Sequence, residues 1–166
     1  MEPLPGHPEW RSDTTAGSTH ADVYTRARIA RTGLLALNRD ETIYYFAATD
    51  HDGKPLTETC TYEITGKPLP GQWWALTLYA NDMFLARNDD DANNVGSSDM
   101  VAAPDGSWTV RVAATREGAA NWLSTRNSSA FLVNIRLYQP DKAVQEGKVP
   151  ELPVIHRIAC AAQSSS

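Results

Sequence analysis

The 166-residue chain is 42% hydrophobic and 21% charged, the profile of a globular protein with enough length for one domain and a real core. Its formal net charge of −5 excludes a general nucleic-acid binder, which needs a basic surface, and gives no basis for electrostatic docking on anionic lipid. No phosphate-binding glycine loop and no GxSxG nucleophile elbow is present, and the four histidines (His7, His20, His51, His156) are not spaced as ligands, so neither cofactor nor metal is expected.

Residues 1–18 carry Pro3, Pro5, Pro8, Gly6 and Gly17 without periodicity and read as an extended lead-in or linker, with Trp10 its anchor. No apolar run of targeting length follows Met1, so an export signal or membrane anchor, if the protein has one, is missing from this front end. Residues 19–160 read as a single domain and residues 161–166 as a disordered tail. Helical spacing over residues 21–32, with Ser18 or Thr19 as cap, Asp22 at the positive end and Gly33 beyond the stop, predicts one N-terminal helix.

From there the chain is β-rich. Strands are expected at Thr42 to Ala48, Thr59 to Ile64, Ser107 to Ala114, Ala130 to Tyr138 and Val154 to Ala159. Turns fall at Asp50-His51-Asp52-Gly53 and Pro104-Asp105-Gly106, where glycine supplies a positive φ. The stretch GQWWALTLYANDMFLARN from Gly71 to Asn88, apolar on both faces, reads as a central hairpin turning at Ala80-Asn81-Asp82 and returning through Met83 to Ala86. Period 2 separates Trp73 from Trp74 but leaves open which of them faces inward. Residues 115–129 read as irregular, and the connection after Pro140 has room for a short helical turn. One helix followed by seven or so strands predicts a mainly β fold, an antiparallel β-sandwich, with a partly closed barrel as the alternative.

Candidate chemistry is sparse. The acidic loop from Asn88 to Asp99 offers calcium-type oxygens but lacks the EF-hand order, and is expected to be mobile and metal-free. His51 between Asp50 and Asp52 reads as a surface histidine. Arg136 shares a strand face with Asn134 and Tyr138, where it would lie over an aromatic ring or pair with a carboxylate. Trp122, beside Asn121, is the tryptophan expected to be partly exposed. The binding candidates are therefore Trp122, Asn121, Arg136, Tyr138 and Trp73; no catalytic residue is singled out. Cys60 and Cys160 are either a disulfide or two buried thiols, and counting does not separate these.

The ordered series Arg26-Ala27, DHDGKPL from Asp50, Tyr62, WWALTLY, Asp105-Gly106-Ser107, Asn121-Trp122-Leu123 and RLYQP from Arg136 resembles the domain of unknown function 1214 family of bacterial proteins, from roughly Trp10 to Cys160. The resemblance implies a sandwich of jelly-roll type. Its short, stand-alone form implies a Cys60–Cys160 disulfide, a hydrophobic N-terminal segment and a periplasmic or extracellular setting. Ser124 departs from the pattern, in which proline often follows the Asn-Trp-Leu motif. The family implies no activity. The leading expectation is a non-catalytic envelope domain that binds a carbohydrate, another small molecule or a protein, touching membrane only through a missing anchor. A hydrolase of envelope glycans or small esters, and a structural or assembly module, are the alternatives. A shallow groove with a tryptophan would favour sugar binding, and a large apolar patch a protein partner.

Overall fold

The computed structural model describes residues 2–12 and 40–161. Within these, the chain is mainly β, in two sheets. One has the order β1 (Trp10–Ser12), β2 (Thr42–Ala47), β8 (Phe131–Pro140), β4 (Gly71–Ala80), β5 (Asn94–Gly96). The other has the order β7 (Trp122–Ser124), β6 (Trp108–Ala113), β3 (Cys60–Gly66), β9 (Val154–Cys160). One helical turn, α1 (Lys142–Gln145), follows β8 and buries Val144. The helix expected over residues 21–32 lies outside the described residues.

The core lies between the sheets, and period-2 patterning decides who enters it. Ile43, Tyr45, Trp74, Leu76, Leu78, Val133, Ile135 and Leu137 come from the first sheet; Tyr62, Ile64, Val110, Val112, Leu123 and Ile155 come from the second. Two aromatic pairs tie the layers together. Trp74 meets Trp108 at 5.0 Å between ring centroids, and Tyr62 meets Phe131 edge-on at 5.7 Å. Gly66 is required here, since a Cβ would sit 2.7 Å from the Trp108 indole and 2.9 Å from Pro153.

Three expectations are corrected. First, the lead-in is not wholly outside the fold: Trp10–Ser12 pairs with Tyr45–Ala47 as an edge strand. Trp10 anchors it as expected, fully buried with its indole N–H donating to the Pro153 carbonyl at 2.6 Å. Second, Met83 to Ala86 does not return as a strand. Met83 takes a positive φ of 68°, and Phe84 and Leu85 point out, 68% and 49% exposed. β4 instead pairs along its length with β8, from Gly71 opposite Pro140 to Ala80 opposite Phe131. That register lines Trp74, Leu76 and Leu78 up with Leu137, Ile135 and Val133, which no four-residue run can match. Third, the sheets are not purely antiparallel. Residues 115–129 contain β7, which runs parallel to β6 with Trp122 opposite Arg111. A three-residue strand carries too little alternation to be read locally.

Cys60 and Cys160 are directly opposed on β3 and β9 and form a disulfide, Cα atoms 3.9 Å apart. A bulge makes the pairing possible. Tyr62 opposes Arg157 but Thr61 opposes Ala159, so Ile158 is the extra residue and projects to solvent, 54% exposed. Without that insertion the alternation would bring Ala159, not Cys160, to face Cys60. Among the described residues no helix is long and apolar enough to cross a membrane.

Candidate functional site

The outer face of the four-stranded sheet carries Trp122, Arg111, Glu63 and His156. Strand register sets them in one row: Trp122 on β7 opposite Arg111 on β6, Arg111 opposite Glu63 on β3, and Glu63 opposite His156 on β9. Each alternates with a buried neighbour, Leu123, Val110 and Val112, Ile64, and Ile155, which is why all four share the outer surface. Beside the row lies an open trough of about 500 Å³, lined by Glu63, Arg111, Thr109, Trp108 and Asn121, with Val101–Ala103 and Glu117–Ala120 as its banks.

Local bonding shapes this trough. Asn121 is buried, and its amide donates to the carbonyls of Val101 at 2.8 Å and Thr109 at 2.9 Å while its oxygen accepts from the Val101 N–H at 2.8 Å. It therefore builds a wall and has little left to offer a ligand. Trp122 is half-buried, its indole N–H donating to the Ala113 carbonyl at 2.9 Å. Arg111 is clamped by Glu117 at 2.5 Å and by the Thr115 carbonyl at 3.2 Å. Asp105, in the turn at one end, has its carboxyl lowered, first by the Ser107 hydroxyl at 2.6 Å and then by the Ser107 N–H.

The other three binding candidates gather elsewhere, on the outer face of the five-stranded sheet. Trp73 opposes Tyr138, with ring centroids 5.3 Å apart, and donates its indole N–H to the Ser98 hydroxyl at 2.8 Å. The indole also lies over Gly96, where a Cβ would approach it to 2.7 Å. Arg136 takes the aromatic alternative: its guanidinium lies 5.8 Å from the Tyr79 ring centroid and donates to the Tyr79 hydroxyl. This face is largely closed, with Asn134, Ala75, Thr77 and Tyr44 all buried. So the structure brings Trp73, Arg136 and Tyr138 into one cluster and Asn121 with Trp122 into another.

The acidic loop is more organised than its composition implies. It contributes β5, paired with Ala75–Thr77. Arg126 forks onto Asp90, Nε to Oδ2 at 2.7 Å and Nη2 to Oδ1 at 2.7 Å, and also pairs with Asp89. Ser124, the departure from the family pattern, is fully buried and uses both groups proline lacks. Its hydroxyl donates to Asp90 at 2.5 Å and its N–H donates to the Ala92 carbonyl at 2.8 Å. Arg126, then Ser124, hold the Asp90 carboxyl below its usual range, and Asp90, then Asp89, raise Arg126. A depressed carboxylate contributes stability above its unfolded pKa, about 3.9, and loses it as pH falls through the lower folded value. Asp90→Asn is therefore expected to be less stable than the parent at pH 7, the gap closing below about pH 4. Urea unfolding across that range measures it, and a gap independent of pH would disprove the charge's role.

Sequence reading missed Glu63, Arg111 and His156, because each looks like an ordinary outward residue of an alternating strand until pairing lines them up.

Residues 41–142 match the family described as "Protein of unknown function (DUF1214)". The chain belongs to that family. A search of curated proteins finds no match. Among solved structures, it is similar to the VPA0106 protein of Vibrio parahaemolyticus, with 26% identity and a TM-score of 0.66 over 81% of this chain and 35% of that one. An uncharacterised protein from Burkholderia cenocepacia shares the fold, at 18% identity and a TM-score of 0.52 over 89% of this chain and 47% of that one. The DUF1214 chain thus spans less than half the length of either structure.

Proposed function

We propose that this DUF1214 protein is a non-catalytic cell-envelope domain that binds a carbohydrate or similar polyhydroxylated ligand along the trough of the four-stranded sheet. The observation that carries this reading is the trough's form and chemistry. It is open, about 500 Å³, and offers the Glu63 carboxylate, the Arg111 guanidinium and the exposed Thr109 hydroxyl, with Trp122 in register beside Arg111. Carboxylate, guanidinium and hydroxyl groups suit a ligand dense in hydroxyls, and an indole suits the apolar face of a sugar ring. Among the described residues the displaced pKa values belong to Asp90, Asp105 and Arg126, all held by ion pairs or turn hydrogen bonds, which gives no support to the hydrolase reading.

The envelope setting, periplasmic or extracellular, is supported by the Cys60–Cys160 disulfide, since cytosolic thiols are kept reduced. The jelly-roll reading is supported by the winding: β2, β3, β4, β6, β8 and β9 alternate between the two sheets. The assembly-module reading has one observation in its favour. Phe84 and Leu85 project at the tip after β4, 68% and 49% exposed, in a domain whose solved relatives are parts of longer chains.

Titration with a panel of soluble oligosaccharides, followed by NMR shifts and melting temperature, tests the trough. At least one glycan is expected to bind, with Glu63→Ala and Trp122→Ala each weakening it about tenfold, or 1.4 kcal/mol. No response to any glycan, or a response that both variants retain, would overturn the reading. Hydrolysis of a panel member would move the protein to the enzyme class.

A further inference from the structure

Two of the histidines that lack ligand spacing in the chain, His51 and His156, meet in the fold. His51 lies in the turn Asp50–Gly53 and His156 on the outer face of β9, and their rings stand 6.2 Å apart between centroids, tilted by 51°. The two supports are locked together. The His51 N–H donates to the Ile155 carbonyl at 2.9 Å, and Asp50 pairs with Arg157 at 2.8 Å. Asp50 and Arg157 are thereby committed to each other on the inner side, and Arg157 also lies 5.4 Å from the Tyr62 ring.

Behind His51 sits Glu9, from the segment leading into β1. Its side chain is only 1% exposed, and neither carboxylate oxygen accepts a hydrogen bond from any described residue. A carboxylate withdrawn from water without donors is costly, so its neighbour needs an explanation. That neighbour is the His51 Nδ1, 3.5 Å from Glu9 Oε1, on a side chain 49% exposed. A carboxylate at Nδ1 favours the tautomer with hydrogen there, which leaves the lone pair on the outward Nε2. Buried carboxylate, then histidine, then an open lone pair is the arrangement by which proteins orient an imidazole for a metal ion.

We propose that His51 and His156 form a two-imidazole site for a divalent transition metal of the zinc class, with Glu9 as the positioning carboxylate behind His51. Bonds of about 2.0–2.1 Å to each ring nitrogen let one ion span rings at this separation after a modest side-chain rotation. No three His, Cys, Asp or Glu side chains converge as a ready-made ligand set among the described residues. The ion therefore keeps open positions for water or an exogenous donor. Glu63, the register partner of His156 on the same face, is the next carboxylate along.

The site is independent of the carbohydrate reading, and its test contains no sugar. Zinc chloride is titrated into the tag-free, oxidised 166-residue chain by calorimetry, with cobalt(II) absorption as a second readout. One ion is expected to bind per chain and to raise the melting temperature. His156→Ala, a change on an exposed strand face that spares the core, should weaken binding at least about tenfold, as should His51→Ala. Glu9→Gln keeps the shape and should weaken it about 10–100-fold, the range for losing a carboxylate that orients a ligand. Absence of saturable zinc binding, or binding that survives His156→Ala, would overturn the site. Undiminished affinity in Glu9→Gln would overturn the role given to Glu9.

Discussion

Removing the Cys60–Cys160 bond is expected to lower stability by about 4.7 kcal/mol, the chain-entropy value for a closed loop of this length. The bond spans a sequence separation of 100, so its loss frees a large part of the unfolded chain. It also releases β9, which is an edge strand held on one side only, by β3. Beyond the bulge at Ile158, the end of β9 has the Cys60 and Thr61 pairings and the Ala161 N–H to the Thr59 carbonyl to hold it. Urea unfolding of the oxidised protein, the reduced protein and a Cys60→Ala/Cys160→Ala variant measures the loss. The two bond-free forms should agree, and both should show a steeper denaturant dependence, because their unfolded chains expand further. A loss under about 1 kcal/mol would mean that the unfolded state stays compact without the bond. Hydrogen exchange at Arg157 to Ala159 should rise in the bond-free forms before it rises in β8.

Trp74→Ala is expected to cost about 3–5 kcal/mol, the range for deleting a core aromatic, and Trp73→Ala nearer 1 kcal/mol. The two residues are adjacent in sequence and opposite in environment. Trp74 is 4% exposed and packs against Trp108 across the sheets, its ring tilted by 32°, with Leu76 and Leu78 following on the same face. Its cavity cannot readily collapse, because Trp108 is packed so closely on Gly66 and Pro153 that not even a Cβ fits at Gly66. Trp73 faces outward, half-buried between Tyr138 and Gly96. Guanidinium unfolding of the two variants measures the difference, and a larger loss in Trp73→Ala would reverse the assignment of faces. Gly96→Ala gives a further check: it should shift the Trp73 fluorescence while leaving Trp74 packed.

Much of this protein is determined locally. Alternation in Ile43, Tyr45 and Ala47, in Leu76 and Leu78, and in Val133, Ile135 and Leu137 produces strands that gather these apolar residues on one face, whatever their partners are. Gly53 and Gly106 adopt φ values of 78° and 82°, in the turns their sequences specify. The family was also legible, because motifs in a fixed order survive without knowledge of contacts.

Partnership was decided only by the tertiary structure. Whether Met83 to Ala86 or Phe131 to Pro140 pairs with β4 depends on which partner completes the longer buried register, and both runs are apolar. β5 and β7 are three residues each, too short to show a period, and they exist because an exposed edge beside them needs pairing. An arginine 36 residues from Asp90 ties the acidic loop to the segment after β7. The face chosen by Trp73 or Trp74 depends on where the second sheet lies, which period 2 alone does not specify. Glu9, His51 and His156 come from three distant segments, and the turn carrying His51 is held to β9 by the His51–Ile155 backbone hydrogen bond and the Asp50–Arg157 pair. Local patterning sets which way each side chain points relative to its own strand; long-range pairing and packing set what it points at, and sites are made of the second kind of information.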